Sequence, residues 1–338
     1  MERNLPDVGI TMGDPVGIGP EIILRALDDP SIHSLCNPFV IGDIQILTSV
    51  KHVTGWDGDL HRILTPEDAI YRRGSIDVMS VSSLNPSSAL PGLPTIDTGR
   101  AMVSYITTAI DWALRGKIAA VVTSPINKAA MKLAGFSYRG HTELFAEKTQ
   151  SDNIVMMLAG NVLRVVLVTR HEPLKQVSGL LTVEKITNTI AVTHQALTGR
   201  FGIDTPLIAV AGLNPHAGEQ GLLGDEEDRV IIPAIEASKK AGIHVVGPLP
   251  PDTAFHYAAK GTYDVVVCMY HDQGLIPFKM MHFSDGVNTT LGLPIIRTSV
   301  DHGTAYDIAG TGKADPGSLI AAIKMAAEHA LSEQITTE

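Results

Sequence analysis

The chain is poor in cysteine, in basic side chains and in long apolar runs. Its 338 residues include 2 cysteines, Cys36 and Cys268, and 26 basic against 36 acidic side chains, so the formal net charge is −10. Two cysteines that form no CxxC pair exclude a disulfide framework and are typical of a reducing compartment. The acidic balance argues against nucleic acid or an anionic membrane as the main partner.

Export and membrane-spanning signals are also missing. The N-terminal MERNLPDVGI contains no apolar stretch of signal-peptide length. No run of about 18 uncharged apolar residues, the length needed to cross a bilayer, occurs anywhere in the sequence. We therefore expect no membrane partner and a cytoplasmic location.

Short runs rich in valine and isoleucine alternate with longer segments of helical period, which predicts an α/β fold with mostly parallel sheets covered by helices. The predicted strands are Asp7–Met12, Pro38–Ile41, Ala119–Thr123, Leu163–Thr169, Leu207–Ala211, His244–Val246 and Asp264–Tyr270. The predicted helices include Thr98–Arg115, Val183–Leu197 and Glu226–Ala241. The length suggests roughly two domains. We expect a first α/β domain of residues 1–130 plus 296–338 and a second of residues 131–295.

Two glycine-rich loops replace the nucleotide-binding fingerprints, since neither GxGxxG nor GxxxxGK[ST] is present. The first loop, Thr11–Ile22, follows a predicted strand and opens a helix, so its amides are placed to bind an anion. A tight turn that serves packing alone would show the same sequence pattern. The second, Asp301–Ser318, contains small residues that permit close approach of a flat ligand. An ordinary loop before the last helix is the alternative.

Three histidines follow three apolar runs at the same relative position. The run VVLVTRH ends at His171, IAVAGLNPH at His216 and DVVVCMYH at His271. Ligands of open α/β sheets bind beyond the carboxyl ends of the strands, so these imidazoles are placed to converge on a divalent metal. Any one of them alone would be read as a loop cap. Asp252 and Asp272 are acidic neighbours that would orient an imidazole or accept a substrate proton.

Basic and polar side chains near these histidines suit a phosphate or carboxylate. They are Lys279, Asn288 and Arg297, joined by His141 and Thr142 after a glycine turn. Each basic residue alone would be read as a solvated surface charge.

The ordered motifs TMGDPVGIGPEI, TSPINK, GHTELF, GLNPHAGE, GPLPPDT, MYHDQG, GVNTTLG and IRTSVDHGTA resemble those of the 4-hydroxythreonine-4-phosphate dehydrogenase family of vitamin B6 biosynthesis over nearly the whole chain. The first and last motifs are also similar to those of isopropylmalate and isocitrate dehydrogenases. The resemblance implies an isopropylmalate-dehydrogenase-like fold with the active site in the interdomain cleft.

The same resemblance implies roles for individual residues. His171, His216 and His271 match ligands of one divalent metal ion (Zn, Co, Mg or Mn) at the interface of a homodimer whose subunits share active sites. His141, Thr142, Lys279, Asn288 and Arg297 match positions that bind a small phosphorylated substrate, and Asp252 and Asp272 match acidic residues near it. NAD or NADP would contact residues of both glycine loops, namely Gly13, Asp14, Gly17, His302, Gly303 and Thr304.

The implied reaction is oxidation of 4-phosphooxy-L-threonine at C3 with NAD(P)⁺, followed by decarboxylation to 3-amino-2-oxopropyl phosphate. Relatives that act on 4-phospho-D-threonate or 4-phospho-D-erythronate, giving dihydroxyacetone phosphate, would need the same metal and phosphate residues. Other relatives oxidise aromatic dihydrodiols. A non-catalytic protein that binds phosphorylated metabolites is the alternative from a different class.

Overall fold

The computed structural model describes residues 5–337, which fold into two units. The first unit contains residues up to Asp152 and those from Leu293 onward, and the second is Asn153–Gly292. The predicted boundary after residue 130 lies inside helix α4, Lys128–Leu133. The structure keeps this segment in the first unit because α4 and α5, His141–Thr149, both pack against α3, Ile96–Leu114.

The first unit is built on a parallel sheet. Its strands are β1 Asp7–Thr11, β2 Asn37–Gly42, β3 Asp59–Ile63, β4 Ser75–Ser80, β5 Ala120–Thr123 and β12 Ile296–Val300. They lie in the order β3-β4-β2-β1-β5-β12, with every neighbouring pair parallel. Besides α3, α4 and α5, its helices are α1 Gly19–Ala26, α2 Ile44–Thr54 and α11 Gly317–Thr337.

The second unit has a mixed sheet. Its strands are β6 Val155–Ala159, β7 Arg164–Leu167, β8 Ile208–Ala211, β9 Val245–Leu249, β10 Val265–Cys268 and β11 Val287–Leu291. Their order is β11-β6-β7-β10-β8-β9; β6 is antiparallel to both of its neighbours, and the remaining pairs are parallel. Its helices are α6 Leu174–Leu180, α7 Val183–Gly199, α8 Ile232–Lys240, α9 Pro251–Ala259 and α10 His271–Met281.

The central parallel strands are apolar because both faces of each sheet are covered. The side chains of β10, VVVC, are buried throughout, as are those of β8, IAVA. Helix residues such as Leu275 and Phe278 complete the core of the second unit around Leu167 and Val266. Burial on both faces explains why these strands have continuous apolar runs instead of alternating patterns.

The α/β prediction is confirmed, and every predicted strand is present with its ends shifted by a few residues. The segment predicted as the helix Glu226–Ala241 begins with a π-helical turn, Glu227–Ile231, before α8. Strands β3, β4, β6, β11 and β12 were not predicted. Within residues 5–337, no helix combines the length and the apolar character that a bilayer-spanning segment requires.

Candidate active site

Three neighbouring parallel strands of the second unit end close to the three predicted metal histidines. His171 follows β7, His271 is the first residue of α10 just after β10, and His216 follows β8. Because β7, β10 and β8 are adjacent and parallel, their carboxyl ends lie at one edge of the sheet. The rings of His171 and His271 approach to 5.3 Å between centroids.

The structure does not bring all three imidazoles to a single point. Among the described residues, no group of three or more histidine, cysteine, aspartate or glutamate side chains is arranged to hold a metal ion. His171 and His216 are exposed, and His271 is half-buried. The donor set still has the chemistry of a zinc or cobalt site, since imidazole nitrogens at a sheet edge are typical ligands of these ions.

Asp272 lies beside one of these imidazoles. Its Oδ1 is 2.6 Å from Nδ1 of His271. A carboxylate at this distance favours the tautomer in which Nδ1 carries the proton, which leaves Nε2 as the lone-pair donor. The Asp272 carboxylate is therefore hydrogen-bonded to the His271 imidazole.

Asp252 lies in the first turn of α9 and is exposed. Helix α9 packs against β8 and against the short segment Pro215–Glu219 that carries His216. No hydrogen bond to the Asp252 carboxylate is present among the described residues. The structure thus places a solvent-accessible carboxylate on an element in contact with the His216 segment.

The loop that carries His216 has an unusual backbone. His216 and Ala217 have φ of 53° and 55°, the left-handed region that non-glycine residues rarely occupy. The buried carboxylate of Glu227 accepts hydrogen bonds from the backbone N–H groups of Leu213 and Asn214 at 2.7 and 2.8 Å. Glu227 was not predicted as a site residue, because the acidic segment GDEEDRV has the composition of a solvated surface.

Lys279 and Asn288 lie on different elements of the second unit. Lys279 is in α10, half-buried, and Asn288 is on β11 opposite Leu158 of β6. The Oδ1 atom of Asn288 is buried and has no hydrogen-bond partner among the described residues. A buried amide oxygen without a donor lowers the stability of the fold. A water molecule or a ligand that donates a hydrogen bond to it would remove this cost.

A buried arginine forms the centre of the polar site in the first unit. Arg297, on β12, is 2% exposed, and its Nη2 donates to Oγ1 of Thr123 at 2.8 Å. Its guanidinium lies 5.5 Å from the ring centroid of Phe145. Burial lowers the pKa of Arg297 to about 9. A cation enclosed in this way is a strong site for an anion, because little solvent is present to screen its charge.

His141, the first residue of α5, lies beside this arginine. Its Nε2 is buried without a hydrogen-bond partner, although part of the residue is accessible. Burial, and then the positive charge of Arg297, hold the pKa of His141 well below its ordinary value. The imidazole is therefore neutral at neutral pH. Thr142 follows it in the first turn of α5 and is half-buried.

Further polar atoms lie where the sheet order of the first unit reverses. The chain runs from β1 to β2 on one side, whereas β5 and β12 lie on the other, so the gap between β1 and β5 is a switch point at which α/β proteins bind ligands. Thr11 Oγ1 and Ser124 Oγ are buried at the ends of these strands, with no hydrogen-bond partner among the described residues.

The two glycine loops pack against each other within the first unit. Ile18 N–H donates to the Thr304 carbonyl at 3.1 Å, and a Cβ at Gly17 would lie 3.1 Å from Thr304. The carboxylate of Glu21, in the first turn of α1, is buried. It accepts hydrogen bonds from the N–H groups of Gly310 and Gly312.

Gly13 and Asp14 serve the packing of the first loop. Gly13 has φ of 71°, and a Cβ there would lie 2.4 Å from the Pro125 carbonyl oxygen, so only glycine fits. The Asp14 carboxylate is buried; it accepts from Val16 N–H and from the Tyr306 hydroxyl. Burial raises the pKa of Asp14.

The predicted cofactor residues are therefore divided by exposure. Gly13, Asp14, Gly17 and Thr304 are buried together where the two glycine loops meet. His302 and Gly303 are exposed at the start of the second loop. Tyr306, which was not predicted as a site residue, links that loop to Asp14 through its hydroxyl group.

Comparison with known proteins identifies the family. The family model described as "Pyridoxal phosphate biosynthetic protein PdxA" matches residues 34–326. The chain belongs to this family. A 4-hydroxythreonine-4-phosphate dehydrogenase from Desulforapulum autotrophicum is 57% identical over 327 residues, covering 97% of this chain and 96% of the relative. A D-threonate 4-phosphate dehydrogenase from Cupriavidus necator is 44% identical over 329 residues, covering 97% and 98%.

Solved structures agree with this assignment. The 4-hydroxythreonine-4-phosphate dehydrogenase of Klebsiella pneumoniae has a TM-score of 0.89 and 43% identity, covering 96% of this chain and 99% of that one. A terephthalate 1,2-cis-dihydrodiol dehydrogenase from Burkholderia xenovorans has a TM-score of 0.66 and 29% identity, covering 96% and 98%. The chain is an oxidoreductase of the PdxA family.

The lowered pKa of His141 predicts how the free energy of unfolding depends on pH. Below its ordinary pKa of about 6.5, the unfolded chain binds a proton at His141 that the folded protein excludes, so the free energy of unfolding falls as the pH falls. Chemical unfolding of the wild type and of a His141→Asn variant from about pH 7 to about pH 5 should show a steeper loss in the wild type. The matched control is His52→Asn at an exposed histidine. Equal slopes for wild type and His141→Asn would contradict the burial argument.

Proposed function

We propose that this PdxA-family oxidoreductase oxidises 4-phosphooxy-L-threonine at C3 and that the product decarboxylates to 3-amino-2-oxopropyl phosphate, as a step of pyridoxal phosphate biosynthesis. The observation that carries the proposal is the alignment of His171, His216 and His271 at the ends of three adjacent parallel strands. It is supported by the 57% identity to a relative named for this substrate.

The reaction balances as a two-electron oxidation followed by loss of CO₂. Hydride leaves C3 for the nicotinamide of NAD⁺ or NADP⁺, the C3 hydroxyl proton goes to a base, and C3 becomes a carbonyl carbon. The bond between C1 and C2 then breaks, CO₂ departs, and C2 takes up a proton. A divalent metal bound by His171, His216 and His271 would supply Lewis acidity for the hydroxyl and for the enolate charge.

Substrate binding is assigned to five polar side chains, namely His141, Thr142, Lys279, Asn288 and Arg297. In this proposal Arg297, His141 and Thr142 bind the phosphate, because the buried guanidinium and the neutral imidazole together offer several N–H donors to one anion. Lys279 and Asn288 bind the substrate as well; the Oδ1 of Asn288, which has no donor among the described residues, suits the substrate ammonium group. These contacts would fix C3 against the nicotinamide.

The cofactor is assigned to the surface formed by the two glycine loops. His302, Gly303 and Thr304 are proposed to contact it directly, since the first two are exposed. Gly13, Asp14 and Gly17 are proposed to shape the surface, because their contacts are with Pro125, Tyr306 and Thr304 of the protein itself.

We assign the two acidic residues to different tasks. Asp272 is held by His271, so we propose that it orients this imidazole, whereas the accessible Asp252 receives the C3 hydroxyl proton, directly or through a water molecule.

Replacing each acid by its amide separates these tasks. Asp272→Asn should weaken Co²⁺ binding by about 10- to 100-fold, the usual cost of losing a carboxylate that orients a ligand. Asp252→Asn should lower kcat by about 100-fold or more while Co²⁺ affinity stays within a factor of about 2. Isothermal titration with Co²⁺ and steady-state kinetics measure both. Weakened metal binding in Asp252→Asn, with an unchanged metal affinity in Asp272→Asn, would reverse the assignment.

One assay tests the overall reaction and its substrate. NADH or NADPH formation is followed with 4-phosphooxy-L-threonine, 4-phospho-D-threonate and 4-phospho-D-erythronate, with and without a chelator, and His216→Ala is compared with the wild type. We expect the highest kcat/KM with 4-phosphooxy-L-threonine, loss of activity with chelator, recovery on adding a divalent metal, and no turnover by His216→Ala. Preference for 4-phospho-D-threonate would instead assign the function named for the relative from Cupriavidus necator. Metal-independent turnover would contradict the proposal.

We further propose that the chain acts as a homodimer whose subunits share the metal ligands. Helix α10 begins with His271 and presents exposed apolar side chains, namely Ile276 and Met280, and Phe283 follows it at 84% exposure. Large apolar side chains clustered at a surface are typical of a protein interface. A second subunit would also supply the imidazole needed to complete a three-histidine site.

A double variant tests the dimer. Met280→Asp combined with Phe283→Ser should shift the sedimentation coefficient to that of a monomer and weaken Co²⁺ binding in the same protein. The control is Leu64→Asp, because Leu64 is an exposed leucine of the first unit. A dimer that persists in the double variant with full metal affinity would exclude this surface.

A further inference from the structure

The His216 loop, defined as residues Gly212–Gly224, contains a continuous left-handed stretch. Six consecutive residues, His216 to Gly221, all have φ between 43° and 88°. Four of the six are not glycine, namely His216, Ala217, Glu219 and Gln220. L-residues visit this region singly, and a run of this kind persists only when its surroundings impose it.

Glu227 is the side chain that imposes this conformation at the start of the loop. Its Oε1 accepts from Leu213 N–H at 2.7 Å and from Asn214 N–H at 2.8 Å, and its Oε2 accepts from Asn214 Nδ2 at 2.8 Å. These three bonds fix the two residues that precede Pro215 and His216. The chain consequently enters the left-handed stretch from one defined direction.

The carboxylate also packs against the loop on both sides of His216. A Cβ at Gly212 would lie 3.0 Å from Oε1 of Glu227, and one at Gly218 would lie 2.8 Å from Oε2. Glycine at both positions lets the loop close around the carboxylate. Side chains at either position would push the carboxylate and the histidine backbone apart.

Burying the carboxylate of Glu227 costs free energy, so filling space in the core does not explain a glutamate at this position. It is 3% exposed, and no lysine, arginine or histidine forms an ion pair with it in the part of the chain that the structure describes. A buried carboxylate must have its charge balanced by N–H donors, so its oxygens hold those donors firmly. It also begins the π-helical turn Glu227–Ile231, a backbone irregularity that frequently marks functional sites.

We propose that Glu227 is a positioning residue that holds His216 in its metal-binding orientation. This inference rests on the proposed role of His216 as a metal ligand. Glu227 acts through the backbone of Leu213 and Asn214. Asp272 contacts the His271 ring directly, whereas Glu227 acts on His216 through Leu213 and Asn214, the two residues that precede Pro215.

Metal binding by purified protein tests the proposal without an activity assay. Co²⁺ alone is titrated into the metal-free full-length chain, with affinity from calorimetry and ligand geometry from the visible absorption of Co²⁺. Glu227→Ala should weaken Co²⁺ binding by about 10- to 100-fold and alter the visible spectrum. Glu227→Gln retains an oxygen that accepts the two backbone N–H groups, so it should restore most of the affinity.

Two controls separate positioning from stability. Glu236→Gln removes an exposed carboxylate of α8 that pairs with Lys239 and should leave Co²⁺ binding unchanged. Tyr105→Phe removes a buried hydrogen bond to Ser82 in the first unit, and should lower Tm while leaving Co²⁺ affinity unchanged.

Each outcome has a distinct meaning. If Glu227→Ala lowers Tm as Tyr105→Phe does but binds Co²⁺ like the wild type, the positioning role is overturned and Glu227 is only structural. If Glu227→Ala does not fold, a Gly218→Ala variant, which displaces the same carboxylate, is measured instead. The positioning role is then overturned if the Co²⁺ spectrum of this variant is unchanged and its Co²⁺ affinity changes threefold or less. If the wild type binds no Co²⁺, both the metal site and this inference fail.

Discussion

Buried carboxylates that accept backbone N–H groups fix, within each unit, a loop that carries candidate site residues. Glu227 holds the loop of His216, and Glu21 holds the second glycine loop through Gly310 and Gly312. Loops at the carboxyl ends of strands have no sheet partner for their N–H groups, and buried N–H groups must be paired. A carboxylate supplies several acceptor positions in one side chain and thus fixes two or three residues at once.

This constraint explains why glycine is so frequent next to these acids. A Cβ at Gly218 would lie 2.8 Å from Oε2 of Glu227, and one at Gly212 would lie 2.8 Å from Cα of Ala217 and 3.0 Å from Oε1 of Glu227. Gly312 likewise approaches the Val53 carbonyl too closely for a Cβ. The glycine loops of the sequence are therefore as much a consequence of internal packing as of ligand approach. We propose that the cofactor contacts the exposed part of the second loop, beginning at His302.

The sequence predicts the parts of the protein that depend on local pattern. Valine runs followed by histidine identify β7, β8 and β10, because a strand buried on both faces has a continuous apolar signature. The apolar signature does not identify strands such as β11 and β12, because their sequences VNTTL and IRTSV contain polar side chains that are buried only in the folded structure. Arg297 is another polar residue whose burial only the folded structure shows. Alone it would pass for a surface charge, yet it is almost fully buried against Phe145 and Thr123.

Groups that act across long sequence distances could not be predicted. Glu21 meets Gly312 across 291 positions, and Tyr306 meets Asp14 across 292. Glu227 is only 13 positions from Asn214, yet its acidic neighbours give it the look of a solvated residue. Amphipathic periodicity predicts which face of a helix or strand is buried, but it does not predict which buried polar atoms form hydrogen bonds with each other. The roles of these three residues therefore emerge from the structure alone.

We propose that His171, His216 and His271 bind a catalytic divalent metal. Anomalous diffraction from crystals of the chain grown with Co²⁺, recorded on both sides of the cobalt absorption edge, tests it most directly. We expect one anomalous peak per active site within about 2.0–2.2 Å of imidazole nitrogens of all three histidines, at least one of them donated by a second subunit. A peak bound to other side chains, or none at these histidines, would contradict it.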